Sequence, residues 1–157
     1  MKLSTRARYA LRATTELALC GAYKGSNRTG SVVSLSQVAE RQGIDAQYLR
    51  QIFATLRRKG ILKSIHGRTG GYSLARDPER INAYQILTAI GEDLGLVQCV
   101  RKPSSCKRLK ECPTYPLYCR LADQHKEILT ATTLAELADR CPGRGTHSLP
   151  RGYTFEI

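Results

Sequence analysis

Six cysteines stand at positions 20, 99, 106, 112, 119 and 141, and three of them, Cys99, Cys106 and Cys112, are separated by six and five residues. In a reducing compartment such clustering points to metal or redox chemistry before disulfides. The spacings are too wide for the paired Cys-x-x-Cys knuckles of structural zinc sites. A loop of this length can still wrap several thiolates around a larger inorganic core, as iron–sulfur clusters require. Arg101, Lys102, Lys107, Arg108 and Lys110 flank the sulfurs, and their charge favours thiolates and offsets the negative charge of a thiolate-bound cluster. Spacing alone leaves an iron–sulfur cluster, zinc and thiol redox chemistry open. Cys20 falls on an apolar helix face and reads as a small core residue, whereas Cys141, beside a tail rich in Gly, Pro and Arg, reads as an exposed thiol.

A second set of side chains can read nucleic acid. Gln47, Tyr48, Arg50 and Gln51 open a helix whose apolar positions are Leu49, Ile52, Phe53 and Leu56. Arg can clasp guanine and Gln adenine by paired hydrogen bonds, each pair discriminating by ~1–3 kcal/mol. Arg57 and Arg58 at the other end of that helix suit phosphates or solvent. Further on, His66 and Arg68 sit at a glycine-rich turn, where Arg68 can reach a narrow minor groove.

The elements that must position these groups follow from periodicity and capping. Residues 5 to 24 form an amphipathic helix, and 25 to 30 a loop. Ser34 and Gln37 make a capping box for a helix that ends at Gly43. Asp45 caps the next, which runs to about Lys59 and stops at Gly60. This is a helix-turn-helix, with Ala39 and Gly43 small where the two helices cross. Two short strands around Gly67 to Gly71 add a β-hairpin, the wing. A fourth helix is expected from Ile81 to about Leu94, a loop from about 95 to 113, a long helix from Tyr115 to Ala131 and a short one from Thr133. The fold class is thus mainly α: a winged helix-turn-helix with a β-hairpin wing and a long C-terminal helix. The expected division is a winged helix-turn-helix DNA-binding domain over 1–80, a cysteine-bearing loop and C-terminal helices over 81–140, and a mobile tail over 141–157.

Charge points the same way. Twenty-five Lys and Arg against 13 Asp and Glu give a formal +12, which favours polyanions through long-range attraction and counterion release. No Lys-rich amphipathic helix argues for a membrane surface, and no apolar run approaches the ~18 residues of a membrane span. The N-terminus turns polar at once, unlike a signal peptide, so a cytoplasmic location is expected. An enzyme is not expected. There is no Gly-rich phosphate loop, and His66, His125 and His147 are scattered without a nucleophile partner.

Three stretches carry a family resemblance: the opening Met1 to Arg12, the helix-turn-helix segments Leu35 to Ile44 and Tyr48 to Phe53, and the wing Gly67 to Ala75. They resemble the Rrf-two family of regulators (IscR-, NsrR- and RirA-like), over roughly residues 1 to 140. The resemblance implies a homodimer, joined through the long helix near 115–131, that binds double-stranded DNA at a palindromic operator. It also implies that Cys99, Cys106 and Cys112 hold an iron–sulfur cluster, 2Fe–2S or 4Fe–4S, whose state sets operator affinity. IscR-like members place a histidine where this chain has Tyr115, and NsrR-like members an acidic residue near Arg8. Cys119 is the obvious substitute ligand, with Glu16, a small thiol or an open iron site as others. IscR-like members carry glutamate where this chain has Arg50, so operator preference should differ. The alternative is a cluster-free regulator of the same fold that responds through thiol oxidation or a partner protein.

Overall fold

The computed structural model describes residues 3–23, 32–67 and 70–140. The expected loop at 25–30, the wing-tip Arg68, Cys141 and the tail lie outside the described residues.

Helix α1 spans Thr5–Leu19. Ser4 caps it by accepting from the Ala7 amide at 3.1 Å, and its own amide and hydroxyl donate to the Glu92 carboxylate at 2.8 and 2.5 Å. The helix stops earlier than periodicity suggests because Gly21 turns left-handed at φ +70°. The amides of Gly21 and Ala22 then bond back to the carbonyls of Ala18 and Leu17, closing the end with a Schellman pattern.

Helix α2 (Leu35–Gln42) begins at the expected capping box, and α3 (Ala46–Arg58) at Asp45, whose carboxylate accepts from the Tyr48 amide at 2.8 Å. Gly43 is required by its φ of +60° rather than by helix crowding, since a Cβ there would meet nothing within 4 Å. A side chain at that φ would cost about 1–2 kcal/mol. Leu49, Ile52, Phe53 and Leu56 repeat at helical spacing and are fully buried.

Strands β1 (Leu62–Ile65) and β2 (Gly71–Leu74) pair antiparallel, with Leu62 opposite Leu74. Val33 adds an isolated bridge to β2 by exchanging two backbone hydrogen bonds with Tyr72, at 2.9 and 2.8 Å. The Tyr72 ring packs edge-on against Phe53 with centroids 4.8 Å apart, which seats the wing on α3.

Helix α4 (Ala83–Ala89) is shorter than expected: a 3-10 turn at Pro78–Arg80 precedes it, and Gly91 at φ +78° follows it. The cysteine-bearing loop holds one-turn α5 (Gln98–Arg101) and two 3-10 turns, Pro103–Ser105 and Leu109–Glu111. Long α6 (Tyr115–Ala131) follows, then α7 (Leu134–Asp139). The core gathers Ala7, Ala10, Ala13 and Leu17 of α1, the buried face of α3, Ile86 and Leu87 of α4, and Leu134 of α7. Backbone bonds from Ala83 to the Thr132 carbonyl (2.9 Å) and from Leu134 to the Ile81 carbonyl (2.8 Å) fasten the α6–α7 junction beside the start of α4.

Candidate DNA interface and thiol loop

The first two turns of α3 present Gln47, Arg50 and Gln51 to solvent. Tyr48 is different. It is half-buried, with its ring edge-on to Tyr9 of α1 at 6.0 Å, so it serves the α1–α3 contact as well as the surface. Sequence periodicity could not show this, because Tyr9 lies on another helix.

At the other end of α3, Arg57 and Arg58 are exposed but not idle. The Arg57 guanidinium donates to the Ser64 hydroxyl of β1 at 3.1 Å, and Arg58 donates to Thr55 at 3.4 Å. Arg6 of α1 reaches the same Thr55 hydroxyl at 3.0 Å. A groove between the end of α3 and the wing is lined by Arg57, Lys63 and Arg76, a run of cations suited to a phosphate backbone. His66 is exposed at the start of the wing turn.

One buried charge holds the helix-turn-helix to α1. Glu16 is only 6% exposed. It accepts from Arg41 at 3.1 Å and from the Gln42 amide group at 2.9 Å, both at the end of α2. Arg41 also donates to the Cys20 sulfur at 2.8 Å. The Glu16 hydrogen bond, followed by the nearby Cys20, holds the Arg41 guanidinium above its ordinary pKa. Arg12 meanwhile donates to the side-chain oxygen of Gln42 at 3.1 Å and to its backbone carbonyl. Cys20 is therefore a half-buried member of a polar junction, rather than a purely apolar core residue. Glu16 is taken up by this junction within its own chain.

Cys99 lies on α5, Cys106 and Cys112 each follow a 3-10 turn, and Cys119 is on α6; all four are half-buried and outside disulfides. Hydrogen bonds from the Thr114 hydroxyl and amide, then the Tyr115 amide and the Arg108 charge, push the Cys112 thiol below its ordinary pKa. The Tyr115 hydroxyl donates to Cys119, which with burial and the nearby Cys99 raises the tyrosine. Arg101 pairs with Asp93, which also accepts from the Gly95 amide at 3.0 Å. These two partners, the amide first, hold the Asp93 carboxyl below its ordinary range. Thiols are the donors an iron–sulfur cluster takes, so the chemistry of the set fits. Among the described residues, however, no three His, Cys, Asp or Glu side chains converge on one point.

On α6, Leu117, Leu121 and Ile128 are 53%, 42% and 61% exposed and recur on one side of the helix. A neighbouring side, through Ala122, His125 and Leu129, faces α4. Among the described residues no helix is long and apolar enough to cross a membrane.

A helix-turn-helix followed directly by a two-stranded wing, with exposed Arg and Gln on the second helix, defines a winged-helix DNA-binding transcriptional regulator. A family model described as Rrf2, iron-dependent transcriptional regulator, matches residues 3–140, and the chain belongs to that family. IscR of Escherichia coli is 33% identical over 160 residues, covering 98% of this chain and 94% of its own length. Among solved structures, CymR, the global cysteine regulator of B. subtilis, superposes with a TM-score of 0.72 at 32% identity, covering 90% of this chain and 98% of that one. T. potens IscR superposes with 0.68 at 30% identity and 94% coverage of both chains. Relatives on both sides are named regulators, and this chain is a regulator rather than an enzyme.

Proposed function

We propose that this regulator acts as a cytoplasmic homodimer on a palindromic operator, with its affinity set by an iron–sulfur cluster on Cys99, Cys106 and Cys112. The supporting observation is that the three half-buried thiols share the one segment joining α4, part of the DNA-binding body, to α6. The likeness to two IscR proteins and the family's description agree with it. The exposed Leu117, Leu121 and Ile128 supply the dimer seam. Gln47, Arg50 and Gln51 read base edges, while Arg57, Arg58, His66 and Arg68 contact the backbone or the minor groove. Two recognition helices then meet half-sites about 34 Å apart.

When bound, the cluster supplies a redox- and iron-sensitive cross-link between sulfurs. The chain's part is to draw the two 3-10 turns and α5 together, with Cys119 beside them as a fourth donor. Rearranging that segment shifts the N-terminal end of α6 and hence the spacing of the two recognition helices. The test is anaerobic purification with absorption, iron and sulfide analysis, repeated for Cys99→Ala, Cys106→Ala and Cys112→Ala. A coloured parent and colourless variants with altered operator affinity are expected. A colourless parent whose variants match it in iron content and DNA binding rules the cluster out. Leu121→Asp with Ile128→Asp should give monomers by sedimentation and weaken operator binding.

A second reading, thiol sensing without a cluster, draws on Tyr115 lying close to both Cys119 and Cys99, and on the likeness to CymR. In it the Cys99 and Cys119 thiols give two protons and two electrons to hydrogen peroxide, forming one S–S bond and two waters. Peptide mapping after peroxide treatment of the metal-free protein finds that cross-link or removes the reading.

A further inference from the structure

Helix α4, the segment Leu94–Gly95 and the inner side of α6 line a half-open cavity of about 190 Å³, away from both α3 and the exposed stripe of α6. Tyr84, Leu94, Ala122 and Leu129 form its walls, and His125 and Lys126 are its cationic or polar members. The Nδ1 atom of His125 is buried and has no hydrogen-bond partner among the described residues. A buried ring nitrogen left in that state is rare, because it has lost water without gaining a partner. The Lys126 ammonium stands 5.8 Å from the centroid of the Tyr84 ring. It forms no ion pair among the described residues.

We propose that this cavity binds a small organic carboxylate. A turn of the His125 ring brings its Nδ1–H to one carboxylate oxygen, Lys126 donates to the other, and a short aliphatic tail lies against Leu94, Ala122 and Leu129. Lys126 can only donate and the His125 Nδ1 can donate, so an acceptor carrying negative charge suits both. The volume matches roughly half a dozen waters, which excludes a nucleotide and admits a branched four- to five-carbon acid. Glu92 accepts from Ser4, Asp93 from Gly95 and Arg101, and Glu127 from Gln124. Asp123 and Glu127 line a neighbouring groove that exposed Lys126 also borders, and neither forms an ion pair with it. Such a ligand would touch the core through α4, the start of the thiol loop through Leu94, and α6, and so favour one placement of α6 over others. The inference stands independently of whether Cys99, Cys106 and Cys112 hold a cluster.

The test uses the full chain labelled with ¹⁵N-histidine and titrated with sodium isovalerate at constant ionic strength. Imidazole resonances of His66, His125 and His147 are assigned with single His→Gln variants. The expected result is a saturable movement of His125 while His66 stays still, with no such movement in sodium chloride or phosphate. Lys126→Met should weaken isovalerate about tenfold or more, the worth of one charge-assisted hydrogen bond, and Lys126→Arg should retain binding. Circular dichroism confirms the fold of each variant. A response that never saturates, an equal response to phosphate, or unchanged affinity in Lys126→Met overturns the proposal.

Discussion

Arg57 at the end of the recognition helix donates to Ser64 in the first strand of the wing, at 3.1 Å. The pair ties the wing to the end of α3, so Arg57, proposed to contact phosphate, also has a positioning duty. Ser64→Ala removes the tie and keeps the charge, whereas Arg57→Ala removes both. Each should lower stability by only about 0.5–1.5 kcal/mol. Both should weaken operator binding, but only Arg57→Ala should reduce the salt dependence, by about one unit of slope. Equal salt slopes for the two variants would show that Arg57 touches no phosphate.

Arg50 is exposed on the first half of α3, between exposed Gln47 and Gln51. Arg50→Ala should cost about 1–3 kcal/mol of operator affinity and relax preference at one base pair per half-site. Selection of binding sites from random duplexes, run on parent and variant, measures this. An unchanged consensus would move Arg50 to the phosphates.

Glu16 and Arg41 form an unequal pair, because the carboxylate is buried and the guanidinium is 42% exposed. Removing the arginine strands a buried charge, while neutralising the acid leaves an arginine that water can solvate. Arg41→Met should therefore cost about 2–3 kcal/mol and Glu16→Gln less than about 1 kcal/mol. Urea denaturation of the two variants decides, and the reverse order would mean that Gln42, rather than Arg41, is the partner that matters to Glu16.

Gly71 is needed for closeness rather than for its backbone angles: a Cβ there would lie 2.6 Å from the Val33 carbonyl oxygen. Gly71→Ala should destabilise by about 1–3 kcal/mol through forced displacement of the Val33–Tyr72 bridge. The same variant should lose wing-dependent DNA affinity in gel shifts before it unfolds. A melting temperature within a degree or so of the parent would show that Val33 moves aside freely.

What could be read from the chain divides by range of interaction. The Ser34–Gln37 box, the Asp45 cap and the left-handed Gly43 are decided within a few residues, and each is legible from local spacing alone. The buried stripe of α3 is legible for the same reason, since period sets which side turns inward. Tyr48 was readable as a residue type but not as a partner of Tyr9, and Glu16 gave no sign that two side chains of α2 would close over it. Those contacts depend on how helices cross. Apolar periodicity overruns the ends of α1 and α4 because Gly21 and Gly91, both left-handed, outweigh the apolar residues after them. For the thiols, the chain supplies number and spacing but no period, so their mutual placement across three one-turn helices lay beyond pattern reading.

The two backbone bonds at the α6–α7 junction give α6 the mechanics of a lever. Its C-terminal end is clamped where Thr132 and Leu134 meet Ala83 and Ile81, while its N-terminal end carries the thiol loop. A helix of 17 residues is about 25 Å long, so a tilt of about 5° at the clamp sweeps Tyr115 through about 2 Å. Leu117 near the free end travels farther than Ile128 near the fulcrum. A small rearrangement among the sulfurs thereby reaches Leu117 almost undiminished and Ile128 damped, so in the proposed dimer the skew along the exposed stripe becomes the gauge of what happens in the loop.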